Sequence, residues 1–353
     1  MAGTIGFLIM VAILGGTFHL LRLRAGGSIT TPQAPAFAPL ANTPTATGTS
    51  TPPTPTSDAR PEPRLAPAMT YDGSNGRLLL FSGGRKDGST LDDTWSWDGK
   101  SWNRELIAVQ PHGRRFGKAV YDAGRGNVVL FGGSNETKSE TWTWDGAHWN
   151  KQHPSVSPPV MPAPSLAYDR ARNVVLLFGT DLQGTVSTWI WDGSTWAQKH
   201  PAASPSRRLD ASMAYDEAHK VVVVFGGLTD ETTALNDTWL WDGSNWKPAH
   251  TPHSPPRGDS HLAYDPLASN SLLYVEAPGL VSQTWTWNGS DWSKLNPATS
   301  PGARAFAAMA FDRAIGSVVL YGGKTQAVGG GRMTENLNSE TWIWDGKAWT
   351  EQG

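Results

Sequence analysis

The sequence predicts an all-β chain: six four-stranded antiparallel sheets arranged radially as a β-propeller, behind an N-terminal transmembrane helix and a disordered stalk. Three observations predict it. A nine-residue pattern, Thr-Trp-x-Trp-Asp/Asn-Gly-x-x-Trp, begins at Thr94, Thr141, Thr188, Thr238, Thr284 and Thr341, and its six copies use all 18 tryptophans. A Tyr-Asp or Phe-Asp pair begins at Tyr71, Tyr121, Tyr168, Tyr215, Tyr264 and Phe311, with spacings of 50, 47, 47, 49 and 47 residues. After each pair comes an apolar run without alternation, such as Val221–Phe225, as expected of a strand covered on both faces. A period this long means a multi-strand unit rather than a single pair of helices.

The elements follow in chain order. Ile5–Leu21 is apolar apart from Thr17 and His19 and is at the short end of what crosses a bilayer. No small-x-small cleavage site follows in "RLRAGG", so residues 1–24 read as an uncleaved anchor, with a signal sequence as the alternative. Residues 25–63, with "TPTATGTSTPPTPT" inside them, hold too little apolar surface to offset ordering entropy. They read as a Pro/Thr-rich stalk. Arg22 and Arg24 after the apolar run argue for a cytoplasmic C-terminus. The stalk argues for the outside, and the propeller is expected there. Residues 64–353 form the propeller, in repeats of about 64–110, 111–157, 158–204, 205–253, 254–300 and 301–353.

Each repeat reads as four strands. The first ends in Tyr-Asp, the second is the apolar run, and the third and fourth flank Asp-Gly. Asp-Gly is a strong two-residue hairpin signal because both turn residues take positive φ, and Asn288 in the fifth copy tolerates the same conformation. With Asp145-Gly146 as the whole loop, Trp144 would face Ala147 and Trp142 would face Trp149. All three indoles would lie on one side of the sheet, as core packed on the next blade rather than as a ligand platform.

Composition excludes several functions. A formal charge of −2 without a basic run argues against a nucleic-acid partner. Zero cysteines exclude disulfides, thiolate metal sites and thiol nucleophiles. No Gly-x-Ser-x-Gly, His-Glu-x-x-His or phosphate-binding Gly-Lys motif occurs. No metal or other cofactor is expected.

The chain resembles the kelch-repeat propellers from about Arg64 onward. The resemblance rests on the doublets Gly83-Gly84, Gly132-Gly133, Gly226-Gly227 and Gly322-Gly323 and on the spacing of the last Trp, with "LNDTWLWDGSNW" (Leu235–Trp246) especially close. Repeat 3 departs with Gly179-Thr180 and repeat 5 with Val275-Glu276, so their second strands should end differently. The resemblance implies fold more than activity, since propellers host many functions. The copper centre of galactose oxidase-like members needs a cysteine that this chain lacks.

Loops between second and third strands share an end of the ring with the links between blades, and both sets vary. The longest, Lys324–Glu340, brings Lys324 and Arg332 as candidate binding residues. Arg64, Arg114, Arg208, Arg257 and Arg304 each stand seven residues before the Tyr/Phe-Asp pair, with Met161 in repeat 3. They are candidates for an anionic ligand at one channel mouth. The competing reading is a structural ion pair, because Asp93, Glu140, Asp237 and Glu340 precede the Thr-Trp in four repeats, where Ser187 and Gln283 stand in the others. Asp210, Asp259 and His261 are the candidates for acid–base chemistry at the same mouth, weighed against plain channel polarity. The expected function is a non-catalytic module binding a protein or polysaccharide through the loop face. The alternative is a carbohydrate-active enzyme at the channel mouth.

Overall fold

The structure, a computed structural model, describes residues 11–14, 17–20, 60–134, 140–230, 233–329 and 332–352. It divides into two units, residues 1–59 and 60–353. In the first, Val11–Leu14 and Thr17–Leu20 pair as antiparallel strands. The remainder of the predicted membrane segment and the predicted stalk up to residue 59 lie outside the described residues. Among the described residues no helix is long and apolar enough to cross a membrane.

The second unit contains six four-stranded antiparallel sheets, each in simple sequential order and each drawn from one repeat. We number them blades 1 to 6. Their first strands are Ala68–Asp72, Lys118–Asp122, Ser165–Asp169, Ser212–Asp216, Asp259–Asp265 and Ala308–Asp312. Six apolar clusters join neighbouring sheets. One of them packs Leu78, Leu80 and Trp97 of blade 1 on Val319 and Tyr321 of blade 6. The sheets therefore close a ring, consistent with a β-propeller.

The Trp pattern explains how the ring is held. In every blade the second and third tryptophans meet with ring centroids 5.2–5.5 Å apart. The third is buried and its Nε1–H donates to the Thr that opens the pattern in the preceding blade. Trp149 donates to Thr94, Trp196 to Thr141, Trp246 to Thr188, Trp292 to Thr238 and Trp349 to Thr284, all at 2.8–3.0 Å. Trp102 of blade 1 donates to Thr341 of blade 6 at 2.9 Å and completes the circle. One nine-residue pattern thus carries both halves of a lock repeated six times.

The hairpin register differs from the expected one. Trp144 pairs with Trp149, and Trp142 lies opposite Lys151. The loop has four residues because the Asp side chain does part of the turning. The Asp145 carboxylate accepts the backbone N–H of Ala147 and His148, so only Gly146 needs positive φ, at 102°. Asn288 accepts from Ser290 and Asp291 in the same way. The three indoles still share one face, since Trp142 and Trp144 are two apart and Trp149 is directly across from Trp144.

The glycine doublets end the second strand by taking left-handed φ, 73° and 115° at Gly132 and Gly133. In blade 1 the residues with this conformation are Ser82 and Gly83, at 63° and 119°. The turn therefore lies one residue earlier than the doublet Gly83-Gly84 suggested. Where the doublet is missing, pairing simply continues. Val174–Thr180 and Asn270–Ala277 are extended second strands, matched by extended third strands Val186–Trp191 and Val281–Trp287. Among the described residues no strand is exchanged at the closure. There, Tyr321 Oη–H donates to the carbonyl of Pro61 at 2.8 Å, and Gly323 N–H to that of Arg64 at 3.0 Å.

Candidate functional site

The four arginines Arg64, Arg114, Arg208 and Arg304 are buried, at 0–2% exposure. Each donates Nε–H to the carbonyl two residues earlier and Nη1–H to the carbonyl where the second strand turns. Arg64 makes a bidentate pair with Asp93 at 2.7 and 2.9 Å, and Arg208 with Asp237 at 2.8 Å twice. Arg304 meets Glu340 at 2.6 Å, and Arg114 lies 3.8 Å from Glu140. Burial works to raise Asp93 and Asp237, but the hydrogen bonds and charge of their arginines hold both carboxyls below the ordinary range. A guanidinium enclosed and engaged in this way has no free face for a ligand.

The same acids accept the Nε1–H of the first Trp of their blade, as Asp93 does from Trp95 at 2.7 Å. Ser187 and Gln283 do so in blades 3 and 5, for Trp189 and Trp285, at 3.0 Å. The position therefore needs an acceptor in all six blades and a charge only where an arginine is present. Arg, turn and acid form one unit. Blade 3 has none of the three, and blade 5 keeps only the arginine. Arg257 is exposed and makes no ion pair or hydrogen bond among the described residues. It lines a cleft of about 500 Å³ with Glu276.

The ring encloses a channel with an apolar waist of Met69, Ala119, Leu166, Met213, Leu262 and Met309, which borders a pocket at each end. At the Tyr-Asp end the space is about 560 Å³ and is lined by five tyrosines, Phe311, and the Arg170–Glu217–Arg313 ion-pair chain. Three of the tyrosine hydroxyls (Tyr168, Tyr215 and Tyr264) accept a backbone N–H from the preceding blade, so this ring of phenols is part of the packing.

The loop end is narrower and carries the sequence-predicted acids. Its mouth is set by the residues five before each Tyr/Phe-Asp pair: Ala66, Phe116, Ala163, Asp210, Asp259 and Phe306. Ala66, Phe116, Asp210 and Phe306 have left-handed φ of 49–61°. Such strain persists only where surrounding structure over-determines it. Here backbone bonds around the ring do so: Phe116 N–H to Ala66 O, Ala66 N–H to Phe306 O, and Asp210 N–H to Ala163 O, at 2.7–3.0 Å. In blade 5 Asp259 is instead extended, and its carboxylate accepts the N–H of Phe306 at 3.0 Å.

Asp210 is paired with Lys118 at 2.8 Å. Asp259 and His261 do come together: Oδ1 lies 2.9 Å from Nε2, but off hydrogen-bond alignment, so that buried Nε2 has no hydrogen-bond partner. A third acid, Glu276, which no sequence motif singles out as a site residue, lies directly opposite Asp259 in the ladder. Burial and then the Asp259 charge push its carboxyl up to about 7, against the pull of Lys324 and His261. Its signal was in the sequence, because an acid replacing the second glycine of a turn lengthens a strand into the mouth. Lys324 is buried, with Nζ 2.9 Å from Glu335 and 5.8 Å over the Phe306 ring. The Arg332 side chain lies outside what is described. No group of three metal-ligating side chains occurs among the described residues.

The raised Glu276 predicts a pH dependence. Between about pH 4.5 and 7 the unfolded chain releases this proton while the folded one keeps it, so stability falls as pH rises through that window. Glu276→Gln should flatten that fall by on the order of 2 kcal/mol, partial exposure being allowed for. Denaturant unfolding at pH 4.5 and 7.5 measures it, and equal slopes for both proteins would refute the assignment.

No family model matches the chain, and no curated protein sequence matches it. Among solved structures it is similar to one titled "Structure of YjhT", at 13% identity and a TM-score of 0.57, covering 83% of this chain and 99% of that one. At that identity the likeness concerns fold alone.

Proposed function

We propose that this chain is a six-bladed, kelch-type propeller displayed on the outer side of a membrane. In this reading it is a non-catalytic interaction module that binds a protein or polysaccharide through its loop face. One observation carries it. The longest insertion is a β-hairpin, Lys324–Gly329 with Arg332–Leu337, added to Arg304–Ala305 as a separate three-stranded sheet beside the channel mouth. A paired hairpin on a closed ring offers a partner fixed relief at little ordering cost. The Lys324–Glu335 contact and the Asn338 N–H to Gly323 O bond pin its base.

The Asp259–Glu276 pair favours a second reading, a carbohydrate-active enzyme whose Glu276 acts as the acid. Cross-linking of the tagged full chain in its native cells separates them. The first reading expects one stoichiometric protein or wall polysaccharide, lost when residues 327–334 are replaced by a two-residue turn that keeps the Lys324–Glu335 pair and leaves the melting temperature unchanged. Equal recovery with and without the hairpin would overturn it. Cleavage of the captured polysaccharide, abolished by Glu276→Gln, would establish the second.

A further inference from the structure

Arg115 differs from the buried arginines one residue along. It is 7% exposed, and its Nε–H is fully enclosed without a hydrogen-bond partner. Among the described residues it makes no ion pair. Burial alone shifts its pKa, and the shift is downward, as for a cation with no counter-charge nearby. The fold does not ask for a charge there. The equivalent positions, six before the Tyr/Phe-Asp pair, are Leu65, Pro162, Leu209, Gly258 and Ala305.

Space has nonetheless been left for it. A Cβ on Gly84 would stand 2.2 Å from Arg115 Cδ and 3.3 Å from its Nε. Blades 2, 4 and 6 carry Ser134, Leu228 and Lys324 where blade 1 carries Gly84. This glycine therefore opens a slot between blades 1 and 2 in which the side chain lies. Arg115 pairs with Ser134 across the backbone at the end of blade 2's second strand, which places it on the loop face next to Phe116. An isolated buried charge is unfavourable by several kcal/mol unless a partner of opposite sign meets it.

We infer that Arg115 is a binding site for an oxyanion, the carboxylate, sulfate or phosphate group of a ligand held on the loop face. The Nε–H is enclosed, but the two Nη atoms at the tip are not, and they present two N–H groups side by side at the spacing of two oxygens on such a group. The inference rests on the proposed binding role only in placing the ligand on that face. It names the chemistry the ligand must carry.

The test is the melting temperature of the full chain in detergent, in sodium acetate or sodium sulfate against sodium chloride at matched ionic strength. Each salt is compared between wild type and variants, because sulfate stabilises folded proteins by exclusion as well. Wild type should show a saturable rise that Arg115→Leu lacks, and Arg115→Leu should melt higher than wild type in chloride. Arg115→Gln, which keeps a polar side chain, should weaken the apparent affinity at least ten-fold. A response to acetate assigns a carboxylate, and one to sulfate alone assigns a tetrahedral oxyanion.

No anion-dependent difference between wild type and Arg115→Leu overturns the site. So does a fall of Arg115→Leu by the same amount in every salt, which would make the guanidinium structural. Partner capture insensitive to the hairpin, alongside an intact anion response, would sink the hairpin reading and leave this one standing.

Discussion

Asp93→Ala should lower the stability of the propeller by about 3–5 kcal/mol, because it leaves the Arg64 guanidinium buried without its counter-charge. Arg64 is fully buried and the Asp93 side chain only 8% exposed, so water cannot replace the lost carboxylate. The Nε1–H of Trp95 loses its acceptor in the same step. Asp237→Ala removes an equally well-aligned partner from Arg208, but the Asp237 side chain is 43% exposed. Once that exposed carboxylate is removed, solvent can take its place beside the guanidinium, and the loss should be about half as large. The reciprocal variant uses blade 3 as its template. Arg64→Met with Asp93→Ser copies Met161 and Ser187, and Ser187 still accepts the indole N–H of Trp189. The double variant should recover at least about 2 kcal/mol of the single-variant loss, since both charges leave together. Reversible denaturant unfolding of wild type, Arg64→Met, Asp93→Ser and the double variant gives the coupling directly. Simple additivity of the two substitutions would show that the pair is not a unit.

Trp102→Ala should cost about 3–5 kcal/mol as a large buried side chain lost from a close-packed interface. It also strands the Thr341 hydroxyl in blade 6. Trp102→Phe keeps most of the packing against Trp97 and Tyr321 and loses only the hydrogen bond, for about 1–2 kcal/mol. Trp149→Ala makes the same chemical change between blades 1 and 2, which are also joined covalently. Blades 6 and 1 have no such link. Their junction relies on side-chain packing and on the entering segment, with Tyr321 on Pro61 and Gly323 on Arg64. Hydrogen exchange should therefore show lost protection concentrated in blades 1 and 6 for Trp102→Ala, and not for Trp149→Ala. The same exchange pattern in both variants would mean that the closure is no weaker than any other junction.

The architecture was legible because its information is local and repeated. Trp spacing, Tyr-Asp spacing and the doublets each recur six or four times, so one substitution, such as Asn288 for Asp, tests the pattern without breaking it. The hairpin register was misjudged for an equally local reason. Asp-Gly specifies a two-residue turn only when the backbone does all the turning, and here the Asp145 carboxylate holds two further amides.

The candidate site was only half legible. Asp259 and His261 are two residues apart, and strand periodicity places them on one face. Glu276 is 17 residues from Asp259, and only strand pairing sets the two carboxyls opposite each other. Likewise, five arginines at one repeat position look equivalent in sequence. Four are enclosed by a turn carbonyl and an acid supplied about 18 and 26 to 36 residues later, and the fifth is exposed because blade 5 extends its strands instead. Sequence by itself determined what each repeat is, because periodicity and turn chemistry act over a few residues. Tertiary structure alone decided which charges are neutralised and which, like Arg115, are left waiting. Burial and partner choice depend on groups brought together from distant parts of the chain.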